Sequence, residues 1–159
     1  MKKTNKFIFL FILGIIFQSS SYAQNTLLPL NEYLTKQDIK SFATKEYVLL
    51  RCSASFNFIA VLLDENGADG KPSNEAAIMM VYAASLARQL NNAERQIKQS
   101  EEEIQNTMIK ISKNLFSKYS EDGNNNYLNT GSYFEDTYIE HDITYCQSVN
   151  SDIETFMTK

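Results

Sequence analysis

The sequence contains very few of the residues on which most catalytic and metal-binding sites depend. It has one histidine, two cysteines and no tryptophan among 159 residues. His141 lacks a second histidine or an available cysteine as a partner, so a zinc site is not expected. No Cys-x-x-Cys pair, nucleophile elbow, phosphate-binding glycine loop or His-Glu-x-x-His sequence occurs. These absences argue against the common redox, metal-dependent and nucleotide-binding classes, and we predict no metal and no cofactor.

One enzymatic interpretation remains, a small hydrolase that uses His141 with carboxylates. Glu140 and Asp142 are adjacent to His141 on a predicted helix, so the three side chains point in different directions. The spacing of more distant carboxylates does not exclude a pair suited to glycoside cleavage, but the chain has no tryptophan to line a sugar-binding cleft. We therefore expect a protein without catalytic activity and keep the hydrolase as an alternative.

The first 23 residues have the three-part pattern of a secretory signal peptide. Lys2, Lys3 and Lys6 precede an apolar run over residues 7–17, and Ser21 and Ala23 place small residues at the −3 and −1 positions of a cleavage site. The run is too short for a stable transmembrane helix, although a retained N-terminal anchor is the alternative. A lipoprotein would carry a cysteine at the cleavage point, where none occurs. We predict cleavage after Ala23 and a periplasmic or secreted protein with no membrane anchor.

The two cysteines, Cys52 and Cys146, are predicted to form a structural disulfide. Exported proteins occupy oxidising compartments, where an even number of cysteines usually means pairing. The bridge would close a loop of about 95 residues, and loops of that length give the largest entropic stabilisation, on the order of 4–5 kcal/mol as an upper figure.

Residues 24–159 are predicted to form a single all-α domain, a small bundle of three main helices pinned by this disulfide. The first helix covers residues 46–63; it is apolar around most of its circumference and is predicted to be the central element. The second, over residues 72–120, keeps an apolar stripe at steps of three and four, with one gap at residues 99–103. A straight helix of that length exceeds the width of such a domain, so we expect a bend near residues 91–92 or 99–103.

The third helix is predicted to cover residues 132–157. The sequence Glu-Asp-Gly-Asn-Asn-Asn at residues 121–126 should break the second helix, and Ser132 with Glu135 has the spacing of a capping box. With short turns between three helices, the first and third should run parallel.

The predicted bridge also predicts an ion pair. Arg51 lies inside the apolar first helix, next to Cys52, and a buried arginine requires a partner. Asp142 lies one turn before Cys146 on the same face of the third helix. We predict that Arg51 pairs with Asp142, with Glu140 or Tyr145 as substitutes; the alternative is that Arg51 extends to solvent.

The excess negative charge lies in the last quarter of the chain. Residues 121–159 contain eight acidic residues and Lys159 alone as a cation. Nucleic acid is therefore not an expected partner, because phosphate binding needs clustered lysine and arginine. A basic protein or cations are the electrostatically favoured partners, and a solvated helix face that aids solubility is the simpler interpretation.

Two segments imitate parts of calcium-binding loops without completing the pattern. Residues 64–75 lack an oxygen at the fifth position and place glycine seventh instead of sixth, whereas residues 122–126 are followed by Tyr127 where glycine is needed. We interpret both as ordinary loops that end helices.

These features predict a small protein of the bacterial envelope that acts by binding another protein through an acidic face or a groove. A periplasmic chaperone that exposes apolar helix faces on acidification or on dissociation of a dimer is a second interpretation, and the His141 hydrolase is the third. The sequence leaves the partner and the oligomeric state open.

Overall fold

The structure, a computed structural model, describes residues 27–158. The predicted signal peptide, residues 1–23, and its cleavage point after Ala23 lie outside the described residues. Within residues 27–158 the chain forms helices and no strand, and a disulfide joins Cys52 to Cys146, so the predicted small all-α bundle is confirmed. The helices are α1 (Leu30–Leu34), α2 (Phe42–Glu65), α3 (Lys71–Glu94), α4 (Glu101–Thr130), α5 (Tyr138–Ser151) and α6 (Ile153–Thr158).

α2 lies at the centre of the bundle. Every residue from Val48 to Phe56 is buried, and α3, α4 and α5 all pack against this helix. A helix that is apolar around its whole circumference must be covered from several sides, which explains this position. Of the helices within residues 27–158, α2 alone is long and apolar enough to cross a membrane, but most of it is buried inside the bundle, as in the core helix of a folded domain.

The expected long helix over residues 72–120 is wrong: the structure has two helices there instead of one bent helix. α3 ends at Glu94, the chain reverses through Gln96 in the left-handed region (φ 56°), and α4 begins after Ser100. The Ser100 hydroxyl accepts a hydrogen bond from the Glu103 backbone N–H, and the Glu103 carboxylate accepts one from the Ser100 N–H. The gap in the apolar stripe therefore contains a capping box, which starts a new helix.

The expected break at residues 121–126 is also wrong, because α4 continues through them to Thr130 and ends at Gly131 (φ 81°). The last long helix starts later than residue 132: Ser132 accepts hydrogen bonds from the backbone of Phe134 and Glu135 in a turn, and Thr137 caps α5. α5 then ends at Ser151, and a short separate helix, α6, follows.

α5 runs antiparallel to α2, not parallel as expected. Three contacts show the direction. Lys45 donates to the Met157 carbonyl in α6, Cys52 bonds to Cys146 in α5, and the Phe58 ring packs against Phe134 just before α5. Positions therefore rise along α2 as they fall along the segment that contains α5. The turn between α3 and α4, which the sequence analysis missed, adds one reversal of chain direction.

Gly123 brings α4 close to α2. A Cβ atom at this position would stand 2.5 Å from Cζ of the Phe58 ring, too close for a real contact. The ring is held in place because it packs edge-on against Tyr133 and Phe134, with centroids 6.1 and 6.0 Å away. The glycine that suggested a helix break is therefore the point of contact between two helices.

We expect the substitution Gly123→Ala to lower the free energy of unfolding by about 1–3 kcal/mol, because overpacking against Phe58 outweighs the gain of about 1 kcal/mol that alanine brings to a helix interior. Urea denaturation followed by circular dichroism measures the change. The exposed neighbouring substitution Asn124→Ala is the control and should be neutral or slightly stabilising. A Gly123→Ala protein more stable than the original would contradict the close approach.

Candidate functional site

The buried polar network beside the disulfide is centred on Arg51 and Asp142, and the structure brings these two predicted residues together. Both side chains are almost completely buried, and Arg51 Nη2 contacts Asp142 Oδ2. Glu140 is exposed and Tyr145 is partly buried, and neither takes the place of Asp142. The disulfide lies next to this pair, since Cys52 and Cys146 follow in the same helices and are fully buried.

Further partners complete the network, and the sequence analysis missed them. The Tyr119 hydroxyl donates to Asp142 Oδ2 and accepts from Arg51 Nε, and the Leu30 N–H donates to Asp142 Oδ1 over 2.7 Å. Arg51 Nη1 donates to the Leu28 carbonyl over 2.7 Å. The sequence signal for Tyr119 is that it follows the apolar stripe at helical spacing, and a tyrosine hydroxyl that becomes buried needs a hydrogen-bond partner.

Burial and neighbouring charges together shift the pKa values of this network. Burial acts to lower the pKa of Arg51, but Tyr119 and Asp142 outweigh that effect and the pKa is raised. Burial raises the pKa of the Tyr119 hydroxyl well above its usual value, so the group keeps the proton that it donates. Burial also raises the pKa of Asp142, against the opposing effect of Arg51.

The role of this network is to hold the fold together. Among residues 27–158, no buried side-chain nitrogen or oxygen lacks a hydrogen-bond partner. Arg51 and Asp142 are committed to each other, to Tyr119 and to the backbone of Leu28 and Leu30 in the segment where α1 begins. The network therefore joins that segment to α2, α4 and α5, and its groups are closed to a substrate.

His141, the centre of the alternative hydrolase, is exposed on α5 together with Glu140, whereas the adjacent Asp142 is buried. The structure therefore does not bring His141 and Asp142 together. Within the part of the chain that the structure describes, no group of three or more His, Cys, Asp or Glu residues is placed to hold a metal ion. Of the two calcium-like segments, residues 122–126 lie inside α4, and the Asp64 carboxylate accepts from the Gly70 N–H in the loop after α2.

The acidic groove, as we call it, lies between the second half of α4 and the start of α5, and has a volume of about 260 Å³. Asp122 accepts a hydrogen bond from the Tyr138 hydroxyl (2.8 Å) and pairs with Lys118 (2.6 Å). Burial and this hydrogen bond raise the pKa of Tyr138. Asp136 is exposed at the rim, in the left-handed region (φ 59°). The residues that line the groove are Asp122, Asn125, Asn126, Asn129, Asp136, Thr137 and Tyr138.

The chain from Glu121 onward supplies every residue that lines the groove and is rich in acidic side chains, while Lys118, one turn earlier on α4, pairs with Asp122 at the groove. Residues 121–158 contain no lysine and no arginine. Asp122 pairs with Lys118 and Asp142 with Arg51, and Asp152 accepts a hydrogen bond from the Thr155 N–H. The exposed acidic residues in this part of the chain are Glu121, Glu135, Asp136, Glu140, Asp152 and Glu154.

A larger cleft of about 600 Å³ lies between α2, the start of α3 and α4. Its rim carries both charge signs, with Lys71 and Lys113 beside Asp64 and Asp69, and its base is formed by apolar side chains such as Phe116. Mixed charge of this kind favours no class of ligand, so the acidic groove is the better-defined candidate.

The chain matches no protein-family model, no curated protein and no solved structure at a significant level.

We expect Arg51→Met to lower the free energy of unfolding by about 3–5 kcal/mol, because Asp142 stays buried without its cation. The double variant Arg51→Met/Asp142→Asn should cost less than the sum of the two single changes, since no unpaired charge is left behind. Chemical denaturation of the four proteins measures both quantities.

The control for this cycle is Lys71→Met, which removes an exposed pair with Glu75 whose charged atoms are 3.8 Å apart. It should change stability by less than about 0.5 kcal/mol. An Arg51→Met protein as stable as this control would show that the buried pair does not hold the fold together.

Proposed function

We propose that the protein is an exported, non-catalytic binding protein that recognises a cationic segment of another protein through the acidic groove. The single observation that carries this proposal is the charge of the exposed surface over residues 121–158, which has six carboxylates and no lysine or arginine. Such a surface attracts a basic partner and repels an acidic one.

The dimensions of the groove support a side chain of a protein partner as its occupant. Its volume, about 260 Å³, is below the range of roughly 300–1,000 Å³ typical of small-molecule sites. Carboxylate and amide side chains line it, and these offer acceptors to the donors of a lysine or arginine. The stacked rings of Tyr127 and Tyr133, whose centroids are 4.5 Å apart, lie on neighbouring segments and add partly exposed aromatic surface for a contact.

Export is the second part of the proposal. It is supported by the signal-peptide pattern of residues 1–23 and by a buried disulfide, which is compatible with an oxidising compartment. A periplasmic or secreted protein of this kind would meet its partner in the envelope or outside the cell.

Neutralising the rim of the groove tests the site. We expect Glu135→Gln/Asp136→Asn to weaken binding of a fluorescent lysine-rich peptide by about fivefold to tenfold at low ionic strength, because exposed ion pairs each contribute up to about 1 kcal/mol. Fluorescence anisotropy measures the affinity, and asparagine tolerates the left-handed conformation of residue 136.

The matched control is Glu101→Gln/Glu102→Gln, which changes the net charge equally at the exposed start of α4. An equal loss of affinity in both double variants would show that the peptide is held by general attraction between opposite charges and not by the groove. A glutamate-rich peptide that binds as well as the lysine-rich peptide would rule out the proposed recognition.

Export has its own test. Mass spectrometry of the exported protein without reductant should give a chain that begins at Gln24 and lacks two hydrogens, because the signal peptide is removed and the cysteines are paired. A variant expressed without residues 1–23 is the control and should keep both thiols reduced in the cytoplasm. A mass that includes residues 1–23 would contradict cleavage.

A further inference from the structure

The exposed side of α3 between Ile78 and Leu90 carries no charge. The exposed residues in this stretch are Ile78, Met79, Tyr82, Leu86, Gln89 and Leu90. Tyr82 is 64% exposed and Met79 is 53% exposed, so these side chains lie on the surface. The one cation of the stretch, Arg88, is half-buried and paired with Glu46 of α2. We call this surface the α3 face.

The opposite side of α3 already has its partner. Ala77, Met80, Ala84 and Ala87 are buried in the core against α2. The apolar residues of the α3 face are therefore additional to those that the fold uses. A contiguous exposed apolar surface of this kind usually marks an interface.

The α3 face has the form that helix packing requires. Ile78, Tyr82, Leu86 and Leu90 follow one another at steps of four, which makes a ridge along the helix. Ridges at this spacing interdigitate when two helices cross at about −50°, the commonest class of helix packing in globular proteins. A groove accompanies the ridge on each side. One is lined by Val81, Ser85, Gln105 and Ile109, and the other by Ala83, Leu86, Ile153 and Met157, with the exposed Glu154 and Thr158 at its edge.

We propose that the α3 face pairs with the α3 face of a second copy of this chain, in an antiparallel dimer with a two-fold axis between Tyr82 and Leu86. A ridge with equal steps is the same in both directions along the helix, so it is complementary to itself. The axis places Tyr82 opposite Leu86 of the second copy, and Ile78 opposite its Leu90. A two-fold contact requires this kind of self-complementary surface.

The helix dipoles favour the antiparallel direction, in which the positive end of one α3 lies towards the negative end of the other. The charged residues at the ends of α3 do not decide the direction. Lys71 and Glu75 lie at the start of the helix and Glu94 and Arg95 at its end, so each end carries one cation and one anion.

The size of the surface is adequate for a dimer. The side chains of the α3 face, each about half-exposed, together present on the order of 600 Å² of accessible surface per copy. Two copies would therefore bury on the order of 1,200 Å² in total, the lower end of the range for specific interfaces. Ile109 of α4, 43% exposed beside the ridge, adds to this area. No residue that lines the acidic groove takes part in the dimer contact. An experiment that contradicts the dimer therefore leaves the proposed binding function untouched, and the reverse also holds.

Sedimentation equilibrium of the oxidised, exported protein between about 1 and 200 μM, the range in which interfaces of this size commonly associate, tests the proposal. We expect twice the chain mass in the upper part of that range. Tyr82→Glu/Leu86→Glu should weaken the dimer by about 100-fold or more, because it places four carboxylates in an apolar contact. The control is Leu128→Glu, at a side chain that is 81% exposed outside the α3 face, and it should leave the dimer intact.

A photo-reactive phenylalanine analogue at position 82 tests the orientation. Mapping the cross-linked peptides should locate the adduct near residue 86 of the second copy, whereas a parallel pair would give an adduct near its residue 82. A protein that is monomeric throughout the concentration range overturns the proposal. Binding of an apolar fluorescent dye by such a monomer, lost in Tyr82→Glu/Leu86→Glu, would assign the face to foreign apolar segments, as a chaperone requires. A dimer that remains intact in Tyr82→Glu/Leu86→Glu also contradicts the proposal.

Discussion

The buried contact between Arg51 and Asp142 is the interaction on which the rest of the structure depends. It places a full positive and a full negative charge inside the bundle, where each alone would be strongly destabilising. Tyr119 and the backbone of Leu28 and Leu30 meet the remaining donors and acceptors. The network therefore fixes the relative positions of the start of α1 and of α2, α4 and α5. The neighbouring disulfide holds two of these helices together covalently and limits how far they separate when the chain unfolds.

This arrangement leaves recognition to the surface. In the described part of the chain, residues 27–158, every buried side-chain nitrogen and oxygen has a hydrogen-bond partner, and Cys52 and Cys146 are bonded to each other. Two surfaces then differ from the rest: a wholly anionic one over residues 121–158, and an uncharged apolar one on α3. Opposite physical forces act at the two. Long-range attraction would guide the proposed cationic partner to the first, whereas removal of apolar surface from water would favour the proposed association at the second. The two proposals therefore use separate surfaces of one small domain.

The sequence predicted the parts that depend on composition and local pattern. A helix apolar around most of its circumference is expected at the centre, and the arginine within it, next to a cysteine, is expected to pair with an acid near the other cysteine. The boundaries of the remaining helices were harder to predict. Asn and Gly at residues 123–126 favour a turn by their local propensities, yet α4 continues because Gly123 lies against the Phe58 ring and packing outweighs propensity. At Ser100 the pattern predicts a gap within one long helix. The structure instead has a capping box there, which starts a separate helix, α4.

By itself, the sequence determined the helical class, the pairing of the only two cysteines and the location of the excess negative charge. These follow from side-chain chemistry and from periodicity along the chain, which are local properties. The tertiary structure alone decided that α5 runs antiparallel to α2, that Tyr119 and the Leu30 N–H complete the ion pair, and that one ridge of α3 stays in solvent. Each of these depends on contacts between residues distant in the chain. A periodic apolar pattern shows which residues avoid water, but it does not show which neighbour covers them.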